Sequence, residues 1–170
     1  MSDLSTLRDI KDRVNSRAVW GRRAGIALLL VIVIVAATGA LGVHARTVTT
    51  RSNGYTLSVT YPQSARAGLD VPWRATVHHE GGFSDDVTIA VSSNYFRMFE
   101  TQGFYPDADS ESNDGKFVYF TFDKPDGDTF VLEYDAYIQP GSQIGKSATV
   151  KVSVGDQEVA STSLRTWLVP

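Results

Sequence analysis

The chain reads as an all-β antiparallel sandwich of seven or eight strands, preceded by one transmembrane α-helix. Three observations carry that expectation. Ala24 to Val43 form a run of 20 residues without a charge near the N-terminus. The part beyond it is built from short runs of alternating apolar and polar residues, closed by Gly, Pro and Asp. Alternation at period two is the mark of half-buried strands, and no stretch beyond residue 43 has a convincing helical period.

The N-terminal residues 1–23 are expected to be a cytoplasmic tail. Leu4, Leu7, Ile10 and Val14 fall near one helical face, and Asp9 and Arg13 form a favourable i,i+4 pair. Ser2 to Arg17 therefore suit a short amphipathic helix that lies on a membrane surface or docks on a partner, or else a tail whose arginines only set topology.

The run 24–43 matches a bilayer core, because 20 helical residues rise about 30 Å. Six basic side chains precede it (Arg8, Lys11, Arg13, Arg17, Arg22 and Arg23), against Arg46 and Arg51 in residues 44–63. That bias puts the N-terminus in the cytoplasm and the C-terminal part outside the cell membrane. Val43-His44-Ala45 offers a cleavage site after Ala45, but the run exceeds the roughly 7–15 residues of a signal core, so an uncleaved anchor is expected. No ionisable residue interrupts the span, which excludes a pump or channel formed by it alone. Small residues gather at its outer end, and Ala36, Gly39, Ala40 and Gly42 are expected to let a partner helix approach closely.

Residues 44–54 read as a linker and 55–170 as the extracytoplasmic sandwich. Its expected strands are Tyr55–Tyr61, Trp73–His79, Val87–Val91, Tyr95–Phe99, Phe117–Phe122, Thr129–Ile138, Ala148–Val154 and Val159–Leu168, the last two joined by a Gly155-Asp156 turn. The expected core is Leu57, Val59, Trp73, Val77, Ile89, Val91, Val118, Phe120, Phe130, Leu132, Tyr134, Val150, Val152 and Leu164. The chain has no cysteine, which excludes disulfides, thiol catalysis and cysteine metal sites, so the core must hold by packing. Residues 44–170 carry 10 basic and 16 acidic side chains, a balance that predicts no attraction to nucleic acid or anionic lipid.

The segment 67–91, AGLDVPWRATVHHEGGFSDDVTIAV, resembles the early strands of bacterial immunoglobulin-like domains. A turn glycine precedes a strand, and a Gly-Gly loop leads into a Val-x-Ile-x-Val strand. The resemblance implies an immunoglobulin-like sandwich and carries no functional residue. One span ahead of such a domain is similar to the single-span accessory subunits of actinobacterial membrane complexes, including the respiratory cytochrome supercomplex. That resemblance implies a partner-binding subunit.

Candidate chemistry is sparse. His78-His79-Glu80 is the most metal-like group, but neighbours on a strand point to opposite faces. Asp107, Asp109 and Glu111 lie in an acidic loop whose sixth and twelfth positions, Ser112 and Val118, break the EF-hand pattern, which leaves a solvated loop or a looser calcium site on those three carboxylates. No strained Gly-x-Ser-x-Gly turn and no phosphate loop is present. No catalytic residue, metal or cofactor is expected. Tyr95 to Tyr105 is the most unusual segment. Tyr95, Phe96, Arg97, Met98, Phe99, Phe104 and Tyr105 are of the types enriched in interfaces, and simple alternation cannot bury them all. They read as a partner-facing patch or as core with edge cover.

The expected function is a non-catalytic accessory or assembly subunit of a larger membrane complex. Its partners are integral membrane subunits, met through the helix and the sandwich, and the bilayer. The alternative is an anchored envelope module that binds cell-wall polymer or another surface ligand.

Overall fold

The computed structural model describes residues 16–39 and 42–169. They fall into two compact units, residues up to Leu41 and residues from Gly42 onward. The tail helix expected over Ser2–Arg17 lies almost wholly outside the described residues.

The first unit is helix α1, Ser16–Ala37, 22 residues long with none buried. It is long and apolar enough to cross a membrane, rising about 33 Å. Its bounds differ from the expected 24–43. Arg17, Arg22 and Arg23 are good helix formers and belong to its first turns. At the other end Thr38 Oγ1 donates to the Val35 carbonyl at 2.8 Å. Gly39 then takes φ +70°, the left-handed conformation that closes helices.

The second unit consists of eleven strands and one helical turn: β1 His44–Ser52, β2 Tyr55–Ala65, β3 Asp70–His79, β4 Val87–Ser92, α2 Ser93–Phe96, β5 Phe99–Tyr105, β6 Ser110–Asn113, β7 Phe117–Phe122, β8 Thr129–Ile138, β9 Ser147–Val154, β10 Gln157–Arg165 and β11 Trp167–Leu168. One sheet has the order β1-β2-β3-β8-β5, with β11 parallel to the end of β2. The other has the order β10-β9-β4-β7-β6. Every other pairing is antiparallel.

The strand count exceeds the expected seven or eight for physical reasons. Residues 44–54, expected as a linker, are β1 and its turn. Val48 is the only large aliphatic residue in β1, so alternation does not reveal an edge strand made of threonine and arginine. The overlooked signal is Asn53-Gly54, where φ of 52° and 81° make the mirror-image turn of a two-residue hairpin. The short polar β6 and the two-residue β11 likewise lack an alternating apolar face.

The two sheets share one apolar core in a sandwich-like arrangement. Phe104 of one sheet meets Phe120 of the other at 4.2 Å between ring centroids, and Phe122 meets Phe130 at 4.9 Å. All fourteen expected core residues are buried. Each large side chain removed from water contributes about 1.5–3 kcal/mol before entropy is counted. That burial holds a domain without a single cysteine.

Candidate functional site

The aromatic segment divides between core and surface. Tyr95, Met98 and Phe99 are buried, so the expected partner patch loses these three. The strand expected over Tyr95–Phe99 is instead the turn α2, followed by the start of β5. Met98 N–H donates to the Tyr95 carbonyl at 3.1 Å. The spacing i, i+3, i+4 then turns all three side chains one way, into the core. That spacing was readable in the sequence, although the segment looked like a strand. Phe96 and Phe104 are half-buried against the core, whereas Arg97 and Tyr105 are exposed.

Tyr105 reaches the surface because β5 carries a bulge. Its register on β8 shifts between Thr101 and Phe104, where Gly103 adopts φ +145°. A bulge changes the parity of a strand. Phe104 therefore turns inward and stacks on Tyr134 at 4.5 Å. Tyr105 turns outward and stays 77% exposed.

On that outer face the register sets Thr60, Arg74, Glu133 and Tyr105 opposite one another across β2, β3, β8 and β5. Arg74 and Glu133 form an ion pair. Both are half-exposed, so the pair orients side chains more than it adds stability. Tyr105, Arg74, Glu133 and Asp135 line an open groove of about 630 Å³ together with Gly103 and Pro72. β5 is the last strand of its sheet, so the groove ends at a free edge. The arrangement offers one aromatic face, one cation and two carboxylates, which suits recognition of a polar surface.

The helix part of the expected interface is not a continuous face. Ala36 is exposed on α1. Gly39 lies in the closing turn and Gly42 beyond it, so neither continues the helical stripe. Ala40 lies outside the described residues.

His78 and His79 point to opposite faces, as strand geometry demands. His78 Nδ1 lies 3.0 Å from Thr129 Oγ1 on the surface. His79 stacks on Tyr55 at 4.0 Å, and its Nδ1 donates to the Gly82 carbonyl at 2.6 Å. Among the described residues no three His, Asp or Glu side chains stand close enough to hold a metal ion.

The acidic loop forms β6 and its turn into β7. Asp114 Oδ1 accepts the Phe117 and Lys116 N–H groups at 2.6 and 2.8 Å. Its Oδ2 accepts the Tyr119 hydroxyl at 2.9 Å. These bonds, the one from Phe117 foremost, hold the Asp114 carboxyl below its ordinary range. The same carboxylate holds the Tyr119 phenol above its own. Asp109 Oδ2 accepts the Asp123 N–H at 2.6 Å. Asp109 and Asp114 are thus each bonded to backbone donors around the loop.

No family model matches the chain, and no curated protein matches it.

Proposed function

We propose that the chain is a non-catalytic single-pass membrane protein with a cytoplasmic N-terminus. Its extracytoplasmic sheet domain acts as an accessory or assembly subunit of a larger membrane complex. The observation that carries this reading is Tyr105, lifted out of the core by the β5 bulge and set beside Arg74 and Glu133 at a free sheet edge. Tyrosine and arginine are the side chains on which protein interfaces most often depend. The apolar helix supports the anchor, and the six basic residues before its uncharged run 24–43 support the orientation. The architecture is similar to single-span accessory subunits of actinobacterial membrane complexes, which points the same way.

We read the sheet domain as an immunoglobulin-like variant. The neighbour orders β2-β3-β8 and β10-β9-β4 correspond to the A-B-E and G-F-C orders of that fold. The departure is β5, which lies beside β8 but precedes the β6–β7 hairpin in the chain.

Native mass analysis after gentle detergent extraction tests the reading. The full chain is expected in a larger assembly of fixed stoichiometry, with residue 1 retained, and Tyr105→Ala is expected to release it. A lone monomer at native abundance overturns the subunit role, and a mature chain beginning near residue 46 overturns the anchor. A second reading, binding of cell-wall polymer, is favoured by the openness of the groove. It predicts that purified protein binds polymer and that Tyr105→Ala abolishes the binding.

A further inference from the structure

The domain's net charge conceals a separation along the strands. The chain enters at His44, and the register sets His44 and Trp167 both opposite Ser64 at the end of β2. Arg165, the last residue of β10, pairs with Ser147 at the start of β9. Thr166 N–H donates to the Lys146 carbonyl at 2.9 Å. Ile138 N–H, at the end of β8, donates to the Leu69 carbonyl at 3.0 Å. These segments therefore form one end of the domain, the end at which the chain enters it. It carries Arg46, Arg66, Arg97, Lys116, Lys146 and Arg165 against the acids Asp70, Glu100, Asp114 and Asp135. At the opposite end, loops 80–86, 123–128 and 155–156 hold seven acidic side chains and one lysine. Hydrogen bonds from Gly155 N–H to the Asp86 carbonyl and from Lys124 N–H to Asp86 Oδ1 tie these loops together.

Exposed apolar side chains gather at the basic end. Among the described residues of the sheet domain, Leu69, Ile144 and Trp167 are exposed there, with Ile144 at 79% and Trp167 at 52%. The Arg165 guanidinium lies over the Trp167 ring at 3.6 Å. Gly145, next to Ile144, packs its backbone against Trp167. Leu69, Leu168 and Val169 line an open depression of about 780 Å³ with Arg66.

We propose that this end of the sheet domain rests on anionic phospholipid headgroups. It rests on the anchor reading above: six residues, 38–43, join Ala37 of α1 to His44, a reach of roughly 20–25 Å. A tryptophan ring settles at the headgroup level of a bilayer, and basic side chains around it meet phosphates. Isoleucine and leucine beside them enter the boundary with the acyl chains. The acidic opposite end is repelled from the same surface, so the charge separation orients the domain upright. This reverses what net charge alone predicts for anionic lipid.

The absence of native cysteine allows single spin labels in the full-length protein. Ile144→Cys, Asp126→Cys and Ile32→Cys are each labelled and reconstituted in phosphatidylcholine vesicles with and without phosphatidylglycerol. The label at 144 is expected to lose about threefold of its accessibility to a water-soluble nickel chelate when phosphatidylglycerol is present, and to regain it in 1 M salt. The label at 126 is expected to stay accessible throughout. A label at 144 that stays accessible in phosphatidylglycerol, with 32 shielded, overturns the headgroup contact and leaves the anchor standing. An accessible label at 32 overturns the anchor itself. Shielding of 144 in native membranes but not in reconstituted vesicles assigns this end to a protein neighbour and overturns the lipid contact. Charge reversal by Lys146→Glu with Arg165→Glu changes a half-buried lysine and an exposed arginine, and is expected to restore accessibility at 144. Retained shielding in a folded double variant counts against the charge argument.

Discussion

The phenol of Tyr95 donates to the hydroxyl of Thr166 across 2.8 Å, and Thr166 donates in turn to the Pro62 carbonyl at 2.6 Å. The direction follows from proton count. A carbonyl only accepts, so the one hydroxyl hydrogen of Thr166 goes to Pro62, and Tyr95 must supply its own. Both side chains are fully buried. The relay joins the turn α2, the end of β2 and the residue between β10 and β11. Tyr95→Phe is expected to cost about 1 kcal/mol, because Thr166 keeps its carbonyl partner. Thr166→Val leaves a hydroxyl and a carbonyl unpaired and is expected to cost about 2–3 kcal/mol. Urea unfolding of the full chain in detergent measures both. The double variant should cost less than the sum of the two.

Trp73 sits at the centre of the core with its indole N–H buried and without a partner. An orphaned donor carries a desolvation penalty of about 1–3 kcal/mol. Trp73→Phe removes that donor along with some packing, and the two effects oppose. The expected loss is less than about 1.5 kcal/mol, against about 3–5 kcal/mol for Trp73→Ala. Equal losses in the two variants would show that the unpaired N–H costs nothing.

Burial pushes the Tyr134 phenol up to about 12, with the Asp135 carboxylate adding to the shift. Burial raises the Tyr95 phenol as well. An unfolded tyrosine titrates near 10. Between about 10 and 12 the unfolded chain therefore releases protons that the folded domain retains, and alkali favours unfolding. Stability is expected to hold below pH 10 and to fall as pH rises above it. Tyrosinate absorbance should appear for these rings together with loss of near-ultraviolet dichroism. Ionisation of every tyrosine before any loss of structure would contradict the assignment.

Gly145 has no room for a side chain, because a Cβ there would run into the Thr166 carbonyl and the Trp167 backbone. Backbone gives way only by moving the loop or β11. Gly145→Ala is expected to destabilise the domain by about 1–3 kcal/mol and to shift Trp167 emission. Gly141→Ala, in the same loop with open space around it, is the control and should stay within about 0.5 kcal/mol. A Gly145→Ala variant as stable as the control would remove the case for tight packing here.

The core was legible because burial on a strand is a local, period-two property. Leu57, Val59, Ile89, Val91, Val150 and Val152 all declare themselves by alternation, and all are fully buried. β1 was illegible by the same logic, since an edge strand with one large aliphatic side chain has no alternating face to read. Only its Asn53-Gly54 turn betrayed it.

The aromatic segment marks the boundary. Its composition identified Tyr95 to Tyr105 as unusual, but composition assigns no direction to a side chain. A helical turn sent Tyr95, Met98 and Phe99 inward, and one extra residue in β5 sent Tyr105 out. The apolar helix, the cysteine-free strands and the core were determined by the sequence alone, because each depends on neighbours in the chain. Which aromatics remain for a partner, and the separation of basic from acidic ends, were decided only by tertiary structure. Both depend on strand register and on residues that pair from distant parts of the chain.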